Sequence, residues 1–189
     1  MGNVVSFTHM SLDGFVGGPD GEMDWIVYNS ELADDAYALS RSAGAALYGR
    51  TTYQMMEGYW PTVLANPDSS PHDRGHAEWV ENIPKFVFSR TLEQATWNNT
   101  TLIKDNLVEE VTQLKQQIAD DLLIFGSPRL THALAQLGLI DEYRINLNPV
   151  SIGHGMPLFE KGQSSVKLSL SESRTFDCGV IALRYAVVR

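Results

Sequence analysis

Residues 121–149 read DLLIFGSPRLTHALAQLGLIDEYRINLNP and predict a strand, a glycine turn, a helix and a second strand. The short apolar run that stops at Gly126 is typical of a strand buried on both faces. Ser127 and the proline after it suit the N-cap and first turn of a helix, which apolar spacing extends to Gly138. A glycine that opens a helix at the end of a strand gathers free backbone N–H groups, so this turn is suited to a phosphate.

The same arrangement occurs at two other places in the chain. Residues 45–48 form a short apolar run that ends in Gly49-Arg50-Thr51-Thr52, and residues 85–88 form another that ends in Ser89-Arg90-Thr91. Guanidinium groups, hydroxyls and backbone N–H groups all donate hydrogen bonds to anions. Because ligands of open α/β sheets bind outside the carboxyl ends of the strands, these turns together predict a ligand that contains phosphate. The alternative interpretation is that they are ordinary polar caps on strand ends.

Composition limits the classes of function. A chain of 189 residues with 43% hydrophobic residues can bury one full core, so we expect a single domain over residues 1–189. The formal net charge of −9 argues against a nucleic-acid or anionic-membrane surface. The single Cys178 excludes an internal disulfide, and neither a signal peptide nor a membrane-spanning apolar run is evident. We therefore expect a cytoplasmic protein without nucleic-acid or membrane partners.

The remaining patterns predict an α/β domain with a mostly parallel central sheet, because strands alternate with helices along the chain. Residues 166–174 and 180–188 alternate around a turn and predict a closing antiparallel hairpin. The other predicted elements are a first strand at 4–7, a short strand at 101–103, a helix at 31–42 with Ser30 as its N-cap, and an amphipathic helix at 108–118.

Residues 58–82 are rich in Pro, Asp, Ser and His and predict a long loop with a short helical piece near residues 77–81. His72 and His76 lie four positions apart, so a helix could place both on a metal ion. Since no third ligand accompanies them at a defined spacing, we expect no metal site.

Short motifs follow one another along nearly the whole chain. They are Ser11-Leu12-Asp13-Gly14, Met23-Asp24-Trp25, Leu47-Tyr48-Gly49-Arg50-Thr51-Thr52-Tyr53, Lys85-Phe86-Val87-Phe88-Ser89-Arg90-Thr91, Phe125-Gly126-Ser127, Gly138-Leu139-Ile140-Asp141-Glu142 and Gly153-His154-Gly155-Met156-Pro157-Leu158-Phe159. Their order and spacing resemble the dihydrofolate-reductase-like superfamily. Within it, the chain most resembles the reductase domain of the bifunctional riboflavin-biosynthesis deaminase/reductase and the stand-alone relatives of that domain.

The resemblance implies a nicotinamide cofactor, expected to be NADPH, that lies across the strand ends. The turns at Gly49 and Gly126 would hold its pyrophosphate, and the corner at Ser89 would meet its adenosine. A basic corner favours NADPH because the 2′-phosphate needs a positive partner. The expected cofactor-binding residues are Thr8, Gly49, Arg50, Thr51, Thr52, Ser89, Arg90, Gly126, Ser127, Arg129 and Leu130.

Asp13, Trp25 and Asp34 are the candidate catalytic residues. Asp13 directly follows the first strand and is interpreted as a proton donor or an orienting group, or alternatively as an Asx-turn residue. Trp25 could stack on a flat substrate ring or anchor the core. Asp34, or its neighbour Asp35, lies near the position of the pterin-binding carboxylate of dihydrofolate reductases, although such a pair is often just an exposed helix face.

These features predict an NADPH-dependent reductase that transfers a hydride to a small heterocyclic or carbonyl-type acceptor, resembling 5-amino-6-(5-phosphoribosylamino)uracil reductase. Dihydrofolate reductase activity is an alternative, although the chain has Ser127 where those enzymes have a second glycine. A nucleotide-binding module without turnover is another alternative, because the binding turns are clearer than any catalytic group.

The edge-like C-terminal hairpin, together with the family resemblance, predicts a homodimer.

Overall fold

A mixed sheet flanked by helices organises the chain in the computed structural model, which describes residues 1–162 and 164–189. The strands, in chain order, are β1 (Val4–Ser11), β2 (Phe15–Gly17), β3 (Ala43–Gly49), β4 (Lys85–Phe88), β5 (Thr100–Ile103), β6 (Asp121–Phe125), β7 (Glu142–Asn148), β8 (Met156–Pro157), β9 (Lys167–Thr175) and β10 (Ile181–Val188). The helices are α1 (Ser30–Arg41), α2 (Arg50–Ala65), α3 (Pro71–Asn82), α4 (Leu107–Gln117) and α5 (Pro128–Gln136).

The large sheet has the strand order β5-β4-β3-β6-β1-β7-β10-β9. Neighbours from β5 to β7 run parallel, whereas β10 runs antiparallel to both β7 and β9. The predicted α/β class, the mostly parallel sheet and the C-terminal hairpin are therefore confirmed. Because parallel strands end on the same side, the turns that follow β4, β3, β6 and β1 lie next to one another at the carboxyl end of the sheet.

Helices cover both faces of the sheet. Helices α4 and α5 pack on the face that presents Val4 and Leu122, and α1, α2 and α3 pack on the face that presents Val5 and Leu123. The central strands are thus buried on both faces, which explains their unbroken apolar runs. None of the helices in the described part of the chain is long and apolar enough to cross a membrane.

The start of α1 differs from the prediction by one residue. The side chain of Asn29, not that of Ser30, caps the helix: Asn29 Oδ1 accepts a hydrogen bond from the Leu32 N–H at 2.8 Å. Asn29 has extended backbone (φ −145°, ψ 170°), whereas Ser30 is already helical. Both residue types are favoured caps, so the sequence alone could not separate them.

The predicted long loop over residues 58–82 is wrong, because α2 continues through Pro61 and α3 fills the second half of that segment. The short helical piece predicted near residues 77–81 is confirmed, since it lies within α3. Proline and glycine are poor helix residues, and they led the sequence pattern toward a loop. One signal for α3 was present. Ser70 Oγ accepts a hydrogen bond from the Asp73 N–H at 3.0 Å, and a proline follows Ser70 at the first helical position.

A second, two-stranded sheet joins the loops that follow β1 and β7. Strands β2 and β8 pair antiparallel, and the Leu158 N–H donates to the Gly14 carbonyl at 2.9 Å beside them. Strands this short have too few residues for an alternating pattern, so the sequence did not predict them.

Candidate functional site

The turns after β3 and β6 meet at one hydrogen bond. The Gly49 N–H donates to Ser127 Oγ at 2.7 Å, and the bond brings together the N-termini of α2 and α5. A Cβ at position 49 would stand 3.1 Å from that oxygen, so glycine permits the close approach of the two turns. The sequence predicted both turns as binding elements but gave no indication of the bond between them.

Helices α2 and α5 differ from the other helices in the charge of their first turns. Among the described residues, no side chain caps either helix, and neither first turn contains an acidic residue. Instead, α2 begins with Arg50, and Arg129 is the second residue of α5. Helices α1, α3 and α4 each have Asp or Glu in the first turn. A positive side chain at the positive end of a helix is unfavourable without an accompanying anion, so these two helix ends are suited to bind one.

The backbone of the β6 turn leaves space for such a ligand. Gly126 (φ 68°) and Ser127 (φ 53°) both have left-handed backbone. A Cβ at Gly126 would meet no described atom within 4 Å, so this residue faces open space. A left-handed serine costs about 1–2 kcal/mol. The hydrogen bond from Gly49 contributes stabilisation of similar size, about 1 kcal/mol.

The corner between β3 and β4 is basic. Arg50 Nη1 donates to Thr91 Oγ1 at 2.8 Å and links the two turns. Ser89 Oγ accepts the N–H groups of Thr91 (3.2 Å) and of the residue after it (3.0 Å), so this hydroxyl shapes the turn. Arg90 is exposed, and its Nε lies 3.4 Å from an oxygen of Asp105. The predicted adenosine corner therefore offers two guanidinium groups, of which Arg90 already has a carboxylate partner.

The structure places the predicted cofactor-binding residues in a row along the carboxyl end of the sheet, across the neighbouring strands β4, β3, β6 and β1. Thr8 and Leu130 are buried beside this row, on β1 and α5. Thr51 and Thr52 lie in the first turn of α2. Since these segments are far apart in sequence, the row exists only because of the strand order. Cofactor binding by these residues stays a prediction.

The Asp13 carboxylate joins the loop after β1 to the loop after β7. It accepts hydrogen bonds from the hydroxyls of Ser11 (2.6 Å) and Ser151 (2.7 Å) and from the backbone N–H groups of Gly153 (2.7 Å) and Ile152 (3.2 Å). These donors, the Ser11 hydroxyl first, hold the pKa of Asp13 well below its usual range. The carboxylate is therefore ionised at neutral pH, which suits an orienting group and is unfavourable for a proton donor.

The structure ties the other two catalytic candidates to local partners. Trp25 is half-buried, and its Nε1 donates to the Glu22 carbonyl at 3.1 Å. The side chain of Asp34 is 78% exposed and lies 3.6 Å from His72 Nδ1 on α3, while Asp35 pairs with Arg174 on β9. Asp34 thus lies on an exposed face of α1, as one of the two interpretations predicts, and pterin binding by Asp34 or Asp35 stays a prediction. Stacking by Trp25 stays a prediction.

Sequence reasoning missed a group of rings on the side of the sheet that α1, α2 and α3 cover. We call it the aromatic cluster, and its members are Phe7, His9, Tyr28, Tyr59, Trp60, His76 and Phe125. Their ring centroids follow one another at 5.7 Å (Tyr28 to His9), 5.8 Å (His9 to Phe7), 5.1 Å (Phe7 to Phe125), 5.6 Å (Phe125 to His76), 4.4 Å (His76 to Trp60) and 5.0 Å (Trp60 to Tyr59). One signal was available, because aromatic rings two positions apart on β1 share a face.

The two histidines of the cluster are uncharged at neutral pH. Burial lowers the pKa of both His9 and His76 to about 4. His72, considered with His76 as a metal pair, instead lies beside Asp34. Among the described residues, no group of three or more His, Cys, Asp or Glu side chains is arranged to hold a metal ion.

The fold and the geometry of this end of the sheet define the class of protein. The strand order, the helices on both faces and the C-terminal antiparallel hairpin are those of a dihydrofolate-reductase-like α/β protein. Residues 3–182 match the RibD C-terminal domain, so the chain belongs to that family, and the resemblance noted from the sequence motifs is confirmed.

Known proteins resemble the chain over nearly its full length. It is 32% identical to the uncharacterised protein YyaP of Bacillus subtilis (strain 168) over 176 residues, which cover 93% of this chain and 90% of YyaP. A crystal structure from Shewanella sp. PV-4, provisionally assigned to riboflavin biosynthesis, has a TM-score of 0.76 and 25% identity, with 100% of both chains covered. Dihydrofolate reductase from Enterococcus faecalis, complexed with NADP(H), has a TM-score of 0.63 at 14% identity over 99% of this chain and 97% of that one; it shows the fold alone.

The neutral histidines predict a loss of stability in acid. An unfolded histidine titrates near pH 6.5, whereas His76 in the folded protein titrates near 4. Between these values the unfolded state binds more protons, so the free energy of unfolding falls as the pH falls, by up to about 3 kcal/mol for one such group. His76→Phe should remove the part of this pH dependence that His76 causes. Urea unfolding at neutral pH and at about pH 4.5 measures the free energy of unfolding at both values. His154→Phe, at an exposed histidine, is the control, and its free energy of unfolding should change with pH as much as that of the unmodified protein. If the free energy of unfolding of His76→Phe still changes with pH as much as that of the unmodified protein, His76 is not a source of the acid destabilisation.

Proposed function

We propose that the protein is an NADPH-dependent reductase that transfers a hydride to a small heterocyclic or carbonyl-type acceptor. The observation that carries this proposal is the pair of uncapped helix N-termini, each with an arginine in its first turn, joined by the Gly49–Ser127 hydrogen bond. Membership of the RibD C-terminal domain family and the fold shared with an NADP(H)-binding reductase support it. When bound, a reduced nicotinamide supplies the hydride.

The residues at the carboxyl end of the sheet fit a dinucleotide. The first-turn N–H groups of α2 and the backbone N–H of Arg129 on α5, with the guanidinium groups of Arg50 and Arg129, would bind the pyrophosphate. The open face of Gly126 would let the phosphates approach the backbone closely. Arg50 and Arg90 would meet the 2′-phosphate at the corner after β3 and β4. In a chain with a net charge of −9, this local positive charge is needed to hold so anionic a ligand.

Asp13 would orient the site rather than give a proton. Its ionised carboxylate fixes the loops after β1 and β7 relative to each other, and those loops border the end of β1. Fixed loops hold an acceptor in the geometry that hydride transfer requires. The proton that accompanies the hydride would then come from water.

A binding module without turnover is the second candidate. It is favoured by the ionisation of Asp13, because a site for dinucleotides is better defined here than any proton donor. Dihydrofolate reductase activity is less favoured, since Asp34 and Asp35 are paired with His72 and Arg174. NADPH oxidation measured with pyrimidine, pterin and carbonyl acceptors separates the candidates, because a module without turnover oxidises no cofactor with any of them.

The β6 turn provides a matched test of cofactor binding. Gly126→Ala and Gly138→Ala place a Cβ on residues with nearly the same backbone, φ 68° and 67°, and with open space around both. The strain is therefore alike, about 1 kcal/mol. Only Gly126→Ala should weaken NADPH, by about tenfold or more, because only that Cβ would stand in the path of the pyrophosphate. Isothermal titration measures both affinities. Equal affinities in the two variants would remove the turn from the site.

The basic corner predicts the choice of cofactor. Arg90→Ala should weaken NADPH by about 1.5–3 kcal/mol and leave NADH nearly unchanged, because only NADPH carries a 2′-phosphate. Arg50→Ala should weaken both cofactors, because both carry the pyrophosphate, and NADPH the more of the two. Asp105→Asn should strengthen NADPH binding, since it frees Arg90 from its carboxylate partner. Titrations with both cofactors check these changes. If the unmodified protein binds NADPH and NADH equally, the assignment of this corner is wrong.

The proposed partners are a small-molecule acceptor and a second copy of the chain. Strand β9 ends the sheet with an unpaired edge, almost all of its residues are exposed, and Leu170 on it is 52% exposed. Such edges and apolar positions are commonly covered by isologous pairing. Cytoplasmic location stays a prediction.

Light scattering at micromolar concentration should give the mass of a dimer. Leu170→Lys should shift that mass toward the monomer, because it places a charge within the pairing surface. Leu137→Lys is the control, since Leu137 is similarly exposed (47%) but lies at the end of α5. A monomeric mass for the unmodified protein would contradict the proposal.

A further inference from the structure

His9 is the member of the aromatic cluster whose hydrogen-bonding state the structure fixes. The Val27 N–H donates to Asn148 Oδ1 at 2.9 Å, and a backbone N–H can only donate, so the orientation of the Asn148 amide is set. Asn148 Nδ2 therefore faces His9 Nδ1, at 3.5 Å, and donates to it. A neutral imidazole that accepts at Nδ1 carries its proton on Nε2.

The Nε2–H of His9 is a donor without a protein acceptor. Burial lowers the pKa of His9 to about 4, so the imidazole stays neutral at physiological pH. Within residues 1–162 and 164–189, no group accepts a hydrogen bond from this nitrogen. The ring lies between those of Phe7 and Tyr28, with centroids 5.8 and 5.7 Å away. The His9 side chain is half-buried and its neighbour Tyr28 is exposed, so a ligand can reach this N–H group and accept a hydrogen bond from it.

The rest of the aromatic cluster is uncharged and reaches solvent. His76 is neutral, and burial together with the neighbouring Tyr59 raises the pKa of Tyr28. Tyr28 is 71% exposed and Tyr59 is 55% exposed, so a ligand has access to their rings. Phe7 and His76 are buried, so the ring faces most open to a ligand are those of Tyr28 and Tyr59, beside the N–H group of His9.

The positive charge of the site lies elsewhere. Arg50, Arg90 and Arg129 follow β3, β4 and β6 at the carboxyl end of the sheet, where phosphates of a cofactor would bind. Phe125 is the last residue of β6 and directly precedes Gly126, so the aromatic cluster adjoins that row of residues. A ring stacked on the cluster would therefore lie beside the bound dinucleotide.

We propose that the hydride acceptor is an uncharged, planar heterocycle that stacks on the aromatic cluster and accepts a hydrogen bond from His9 Nε2 through a ring carbonyl or ring nitrogen. The inference rests on the proposed function, because it names the acceptor class of that reaction. Stacking on aromatic side chains and one hydrogen bond fix the ring without any contribution from charge. An acceptor that carries a phosphate would have no basic side chain of the cluster to bind it.

Riboflavin and flavin mononucleotide test the proposal, because they share one planar ring and differ by a phosphate. Each is titrated with protein in the presence of saturating inorganic pyrophosphate, which occupies the proposed phosphate-binding turns and keeps the flavin phosphate from them, and the fluorescence of the flavin ring reports binding. Riboflavin should bind about tenfold more tightly than flavin mononucleotide, since the phosphate would be held near the aromatic cluster without a positive partner.

Variants test the role of His9. His9→Phe keeps an aromatic ring but removes the N–H donor, and it should weaken riboflavin binding about fivefold. His9→Gln keeps an N–H donor and should retain most of the affinity. Tyr59→Leu should also weaken binding, because it removes a stacking face. Phe159→Leu is the control: Phe159 is a partly exposed aromatic residue that packs on Tyr143, away from the cluster.

The outcomes separate this inference from the proposed function. If flavin mononucleotide binds as tightly as riboflavin, or if neither binds, the uncharged-acceptor class is wrong. If His9→Phe binds riboflavin as tightly as the unmodified protein, His9 is not the contact. NADPH titration in parallel tests the proposed function by itself: a protein that binds riboflavin as expected but not NADPH would overturn the reductase proposal and leave the ring site standing. Thermal unfolding of each variant confirms that it is folded.

Discussion

The site depends on one hydrogen bond, from the Gly49 N–H to Ser127 Oγ. Strands β3 and β6 are neighbours, and glycine lets their following turns approach closely. Ser127 takes left-handed backbone, and its hydroxyl serves the neighbouring turn instead of capping its own helix. One side chain therefore holds the two turns together and does not itself cap the N-terminus of α5. The geometry that joins the turns is the geometry on which the proposed binding site depends.

Charge is distributed unevenly around this bond. The chain is acidic as a whole, yet the first turns of α2 and α5 contain Arg50 and Arg129 and no acid. Immediately beyond Phe125, on the side of α1, α2 and α3, the rings of the aromatic cluster are uncharged because burial keeps His9 and His76 neutral. In the proposed site, phosphates and a flat apolar ring would thus bind to separate, adjoining surfaces. The positively charged turns favour phosphates, and the uncharged rings favour a flat apolar ligand, so the two surfaces select different ligand groups.

Local patterns in the sequence correctly predicted elements whose structure depends on residues close together in the chain. The strand, glycine and helix around Gly126 follow from residue type and spacing alone, and the row of turns follows from the parallel strand order. The sequence predicted only the end of α3, near residues 77–81, because proline-rich composition outweighed the Ser70 capping signal at the start of the helix. The sequence also did not predict the aromatic cluster, nor the side chains and backbone groups that contact Asp13 and Asp34. These features depend on contacts between segments that are distant in sequence. Hydrophobic periodicity gives no information about such contacts.

The ionisation of Asp13 limits the chemistry that the site favours. A carboxylate held by hydroxyl and backbone donors does not deliver a proton, so an acceptor reduced here must tolerate negative charge until water protonates it. An isolated carbonyl localises that charge on one oxygen, whereas a conjugated heterocycle spreads it over the ring. A single N–H donor such as His9 Nε2 then stabilises the charge at the ring atom it contacts. The proposed orienting role of Asp13 and the proposed binding of the acceptor to the uncharged aromatic cluster therefore favour the same class of acceptor, although they rest on different residues.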